Sequence, residues 1–115
     1  MMCSAYFGEI SEERKNVWDN GDDNPHKVLA SSVKLDGKGQ ELWSKGSEYF
    51  YDKIQIDWGS FAWKCTPNEI LKFLKDHKST LSWLEKDDFE IIKKVKDYIS
   101  ERPGSDFGVM FIEEY

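Results

Sequence analysis

The alternation of apolar and polar positions is clearest in SEYFYDKIQIDW. There Phe50, Asp52, Ile54, Ile56 and Trp58 fall on one face, and Tyr49, Tyr51, Lys53, Gln55 and Asp57 on the other. A period of two predicts a strand with one face on a core and the other partly wet. FAWKC, just after Gly59-Ser60, predicts a second short strand with Phe61, Trp63 and Cys65 on one side. MCSAYFGEI predicts a strand from Met2 to Glu9. DFGVMFIEEY is apolar on both faces, Phe107, Val109 and Phe111 opposing Met110 and Ile112. That pattern belongs to a strand in the middle of a sheet.

Two segments switch to the helical period. In CTPNEI, Thr66 is an N-cap, Pro67 takes the first helical position and Glu69 completes a capping box, with Cys65 and Ile70 placed as a hydrophobic staple. The helix is expected to run to His77 or Lys78, with Ile70, Leu71, Phe73 and Leu74 as its apolar stripe. DDFE offers a second box, Asp87 capping and Glu90 three residues on. It opens a helix to about Glu101 with the stripe Ile91, Ile92, Val95, Tyr98 and Ile99. Between the two, STLSWLEK reads as a short helical turn carrying Leu81, Trp83 and Leu84.

The stretch from Ser11 to Lys27 is the most polar, with Val17 and Trp18 as its large apolar residues. Ser11 can cap a short helix through Asp19, and DNGDDNP then reads as a loop. This segment is expected to be more mobile than the rest. HKVLASSVKL admits two readings. Asn24-Pro25 can open a helix, or Leu29, Ser31, Val33 and Leu35 can line one face of a strand. The turn signal in DGKG favours the strand, as a hairpin with QELW returning. Strands, then two helices, then a strand predict a single α+β domain over residues 1–115. Its sheet is mostly antiparallel or mixed, two main helices pack on one face, and the C-terminal strand is central.

Composition narrows the partners. The 115 residues carry a net charge of −6, and 15% are aromatic. An acidic chain is poorly suited to double-stranded nucleic acid or an anionic membrane, both of which demand a positive field. The opening MMCSAYFGEI lacks a basic region followed by a long apolar run, so no secretory signal is expected. Two cysteines without a CxxC fit free thiols in a reducing, cytoplasmic setting, although a Cys3–Cys65 bridge is compatible with the sequence.

Chemistry is sparsely signalled. His77 sits at a helix end, where the dipole gives a cationic imidazole a structural role. Two Cys and two His match no zinc spacing, and DNGDD lacks the alternating ligands and closing Glu of a calcium loop. No glycine-rich phosphate loop occurs. No cofactor is expected. Asp52, on an apolar face, is read as a sheet-end carboxylate that reaches water or a lysine.

A short, acidic, aromatic-rich chain without a catalytic motif fits a protein-binding module that occludes a partner, in the manner of an inhibitor, an immunity protein or a phage or mobile-element accessory protein. A basic protein suits the charge, because Trp and Tyr anchor interfaces and negative charge speeds encounter. The candidate surface is Asp22 and Asp23 with Tyr49, Tyr51, Trp58 and Trp63. The alternative is a small ligand-binding or enzymatic domain with an aromatic pocket around Asp52 and Trp58. A third reading buries the aromatic surface between copies of a homo-oligomer.

Overall fold

The computed structural model describes residues 2–21, 24–78 and 85–114. Five strands form one antiparallel sheet: β1 (Met2–Ile10), β2 (Leu29–Lys34), β3 (Tyr51–Asp57), β4 (Ser60–Cys65) and β5 (Phe107–Glu114). Their order is β2-β1-β5-β4-β3, so β5 is the middle strand. Its two apolar faces serve two cores. Phe107, Val109 and Phe111 join one, and Met110 and Ile112 join the other. Water reaches neither face, which is why this strand shows no polar alternation.

Helices cover the first face: α2 (Gly39–Tyr49), α3 (Pro67–Asp76) and α4 (Glu85–Ser100). Leu42 from α2, Ile70, Phe73 and Leu74 from α3, and Ile91, Val95 and Tyr98 from α4 pack on Ala5, Phe7, Trp63 and Cys65 of the sheet. The second core is made by Ile54, Ile56, Ala62, Met110 and Ile112, with Val28 and Leu29; Trp18 and Tyr6 pack against it. Thus the polar segment between β1 and β2 lies over the sheet face that the helices leave open. It contains a one-turn helix, α1 (Glu12–Lys15), capped by Ser11, and a 3-10 turn at Pro25–Lys27 capped by the Asn24 side chain. Residues 22, 23 and 79–84 lie outside the described part, and with them the expected helical turn at Leu81–Leu84.

The capping box at the start of α3 is present in both directions. Glu69 N donates to Thr66 Oγ1 at 3.2 Å, and Thr66 N donates to Glu69 Oε1 at 2.8 Å. The strand reading of residues 29–35 holds over Leu29–Lys34, whereas of the helix reading only the Asn24 cap and the Pro25 start are present, in a 3-10 turn that Val28 separates from β2.

Four expectations need correction. The helix capped by Ser11 ends at Lys15 and does not run through Asp19. QELW is not a returning strand: Gly39 opens α2, a third main helix. Gly39, Leu42 and Gly46 are its buried stripe, at helical spacing. A Cβ on Gly39 would lie 2.8 Å from Cys3 O, and one on Gly46 would lie 2.8 Å from Trp63 Cζ2. These glycines bring the helix close to the sheet instead of ending it. Asp87 is not an N-cap, because α4 already includes Glu85 and Lys86, both good helix formers. The alternation from Phe50 to Trp58 is not one strand face. Phe50 follows the end of α2 and joins the helix-side core, whereas Ile54 joins the opposite one. The break is a bulge between Tyr51 and Ile54, where Asp52 takes φ 53. There a lone Asp adopts the left-handed conformation its short polar side chain tolerates.

Candidate functional site

β3 and β4 are joined by the tightest connection in the sheet. Asp57 pairs with Ser60, leaving Trp58 and Gly59 as the two loop residues. Gly59 has φ 85, which a side-chain-bearing residue rarely adopts. Glu113 of β5 lies against it where a Cβ would sit. Asp57 Oδ1 accepts a hydrogen bond from Trp58 N at 2.6 Å, fixing the backbone under the indole. Trp58 itself is 89% exposed, the most exposed of the large apolar side chains described. Beside it, Asn20, Gly21, Gln55 and Asp57 line a shallow recess. An indole is thus held at a hairpin tip with the carboxylates of Asp57 and Glu113 close to its backbone.

The outer edge of β3 is occupied by the chain itself. Gly21 N donates to Gln55 O at 2.9 Å, and Gln55 N donates to Asn20 Oδ1 at 2.8 Å. Trp18 Nε1 donates to Asp52 O at 2.7 Å. Asn20 therefore positions both the strand edge and the recess wall.

The remaining candidates separate. Trp63 is a core residue, 1% exposed, and is withdrawn from the candidate surface. Its alternation along β4 places it under α2, where Nε1 donates to Ser47 Oγ at 3.3 Å, and Lys53 Nζ lies 5.5 Å from its ring centroid. Tyr49 ends α2 and braces it to α3. Its ring meets Phe73 and His77 edge-on, and its hydroxyl donates to Asp76 Oδ2 at 2.8 Å. That hydrogen bond to a carboxylate pushes the phenol pKa up. Tyr51 is exposed at the other end of β3 from Trp58, and it lines a separate recess with Lys15, Lys64, Thr66 and Asp106. Asp22 and Asp23 lie outside the described residues. The four described candidates, Tyr49, Tyr51, Trp58 and Trp63, therefore do not form one surface.

Asp52 faces water and approaches Lys64 Nζ at 3.8 Å, as a sheet-end carboxylate does. It lines one recess with Trp18 and Lys53, and Trp58 lines another; Asn20 is common to both. Cys65 is buried, and burial pushes its thiol pKa far up, which removes the thiolate needed for nucleophilic work. Cys3 and Cys65 both face the helices but pair with opposite ends of β5, at Glu113 and Phe107, so both thiols are free. Among the described residues, no three His, Cys, Asp or Glu side chains converge on a metal position. No helix among them is long and apolar enough to cross a membrane.

Sequence reasoning passed over Trp43 and Phe89, which are 59% and 71% exposed. The signal for Trp43 was the stripe Gly39, Leu42 and Gly46, which turns residue 43 outward once α2 is recognised as a helix. Comparison with protein-family models, with curated proteins and with solved structures finds no match.

Proposed function

We propose that this chain is a small protein-binding module that occludes a basic partner, with Trp58 as its anchor. One observation carries the reading: a nearly fully exposed indole on a two-residue turn whose backbone is fixed by Asp57 and Gly59. Exposing a Trp forfeits the free energy of burying it, and a rigid turn lowers the ordering cost of binding. Trp residues dominate interface hot spots when a partner pocket encloses them. Asp57 and Glu113 at the turn, with the net charge of −6, favour a lysine- or arginine-rich face that meets the indole by cation–π contact. Binding through a preformed surface requires no cofactor, and the free thiols suit the cytoplasm.

The test places a photo-crosslinking amino acid at position 58 in the native host and identifies the adduct by mass spectrometry. A basic protein is expected. Trp58→Ala should then weaken binding of that purified partner at least ~30-fold, the effect of a hot-spot residue, while the melting temperature stays unchanged. An unaltered affinity would refute the assignment.

A further inference from the structure

The two edges of the sheet are treated differently. Residues 18–21 occupy the β3 edge. The β2 edge has no such cover among the described residues. Leu35 N donates to Ala5 O at 2.8 Å, which makes that pair hydrogen-bonded. By alternation, so are Val33 with Phe7 and Ser31 with Glu9. In this last pair the Tyr98 hydroxyl is inserted: it accepts from Glu9 N at 2.8 Å and donates to Ser31 O at 3.1 Å. Hence the backbone N–H and C=O of Ser32 and Lys34 point away from β1, and both residues are exposed. Open backbone groups of this kind template the pairing of another strand.

Alongside that edge runs a groove between β2 and α4. Lys34, Asp36, Lys94, Asp97, Glu101 and Arg102 line it, three cations and three carboxylates. A basic partner has no reason to prefer this balanced surface, whereas a second copy of the same chain finds both signs of charge waiting for its own. The net charge of −6 resides elsewhere and is screened beyond about 8 Å at physiological salt.

We infer that β2 pairs antiparallel with β2 of a second copy across a two-fold axis at Val33, extending the sheet to ten strands. In this register Ser32 lies opposite Lys34 of the other copy, and each such pair exchanges two backbone hydrogen bonds. Val33 meets its own mate in the close, non-hydrogen-bonded position, with Cα atoms about 4.5 Å apart. Val33 is the half-buried apolar side chain on the α4 side of the strand, so the contact completes its burial. A shift of one residue toward the C-terminus would set Lys34 against Lys34, which like-charge repulsion disfavours. The inference is independent of Trp58, which lies at the opposite edge.

Sedimentation equilibrium of the wild-type chain from about 1 to about 500 µM tests it, because a reversible dimer shifts with concentration. Twice the chain mass is expected at the upper end, and a monomer throughout overturns the inference. Ser32→Pro removes an outward N–H at a position where an edge strand tolerates proline. It should abolish the dimer, and a dimer that survives in the folded variant overturns the inference. Val33→Cys fixes the register even if the proline variant fails to fold. Under mild oxidation it should give a covalent dimer that Lys34→Cys does not, because only residue 33 faces its own mate. Equal cross-linking at both positions overturns the two-fold at Val33.

Discussion

The Cα of Gly46 sits beneath the indole of Trp63, so close that a methyl group added there would lie 2.8 Å from Cζ2 and 3.0 Å from Cη2. This contact sets the distance between α2 and the sheet. Gly46→Ala gains up to ~1 kcal/mol of helix propensity. It must also push apart two rigid groups, at a cost of ~1–3 kcal/mol in a packed core. Net destabilisation is expected in urea unfolding, and Trp63→Phe in the same chain should recover part of it.

Lys38 Nζ lies 2.7 Å from Asp88 Oδ1 and 2.7 Å from His77 O, and both charged side chains are more than 90% buried. Lys38 precedes α2, His77 follows α3 and Asp88 belongs to α4, so one ammonium ties three helices together. Lys38→Met should cost ~3–5 kcal/mol by taking the ammonium away from a buried carboxylate and from His77 O. Lys38→Met with Asp88→Leu should be markedly less damaging than the sum of the single changes, as a double-mutant cycle by denaturant unfolding would measure.

The Tyr98 hydroxyl also lies 2.7 Å from Ser31 Oγ, in addition to its bonds with Glu9 N and Ser31 O. Tyr98→Phe keeps the ring contacts with Phe7 and Phe107 but orphans the backbone groups. A loss of ~1–3 kcal/mol is expected. Hydrogen exchange should locate it, with the Glu9 amide losing protection before its neighbours in β1.

Burial holds the Cys65 thiol protonated well above its usual range. Its folded-state pKa therefore exceeds the unfolded value of about 8.5. The folded chain keeps a proton that the unfolded chain releases. The corresponding stability is complete below about pH 8.5 and is lost as pH rises above it, by at most ~1.4 kcal/mol per pH unit. Cys65→Ala should flatten the decline of stability between about pH 8.5 and about pH 9.5, a window below the unfolded tyrosine value of about 10 at which Tyr49 and Tyr51 begin to contribute. In the native wild type, a thiol reagent should modify the half-buried Cys3 far faster than Cys65.

Where local chemistry decides the outcome, the sequence was legible. Thr66, Pro67 and Glu69 specify a helix start through contacts within one turn, and β5 announces its central place by being apolar on both sides. Legibility failed where a distant partner decides. Gly39 reads as a turn residue, and Gly46 carries no signal, until the groups they make room for, Cys3 and Trp63, are known. Trp58 and Trp63 are five residues apart in one hairpin, yet one is bare and the other buried. A composition count cannot separate them. The turn can, since Asp57 opposite Ser60 leaves Trp58 without a strand neighbour, while Trp63 stands opposite Val109.

The hydrogen bonds from residues 18–21 to β3 have a consequence for growth. A sheet open at both sides can recruit copy after copy into a filament without limit. Here one side is already closed by the chain's own Asn20 and Gly21. Whatever strand joins at β2 meets a finished margin at each far end, and propagation stops after the first addition.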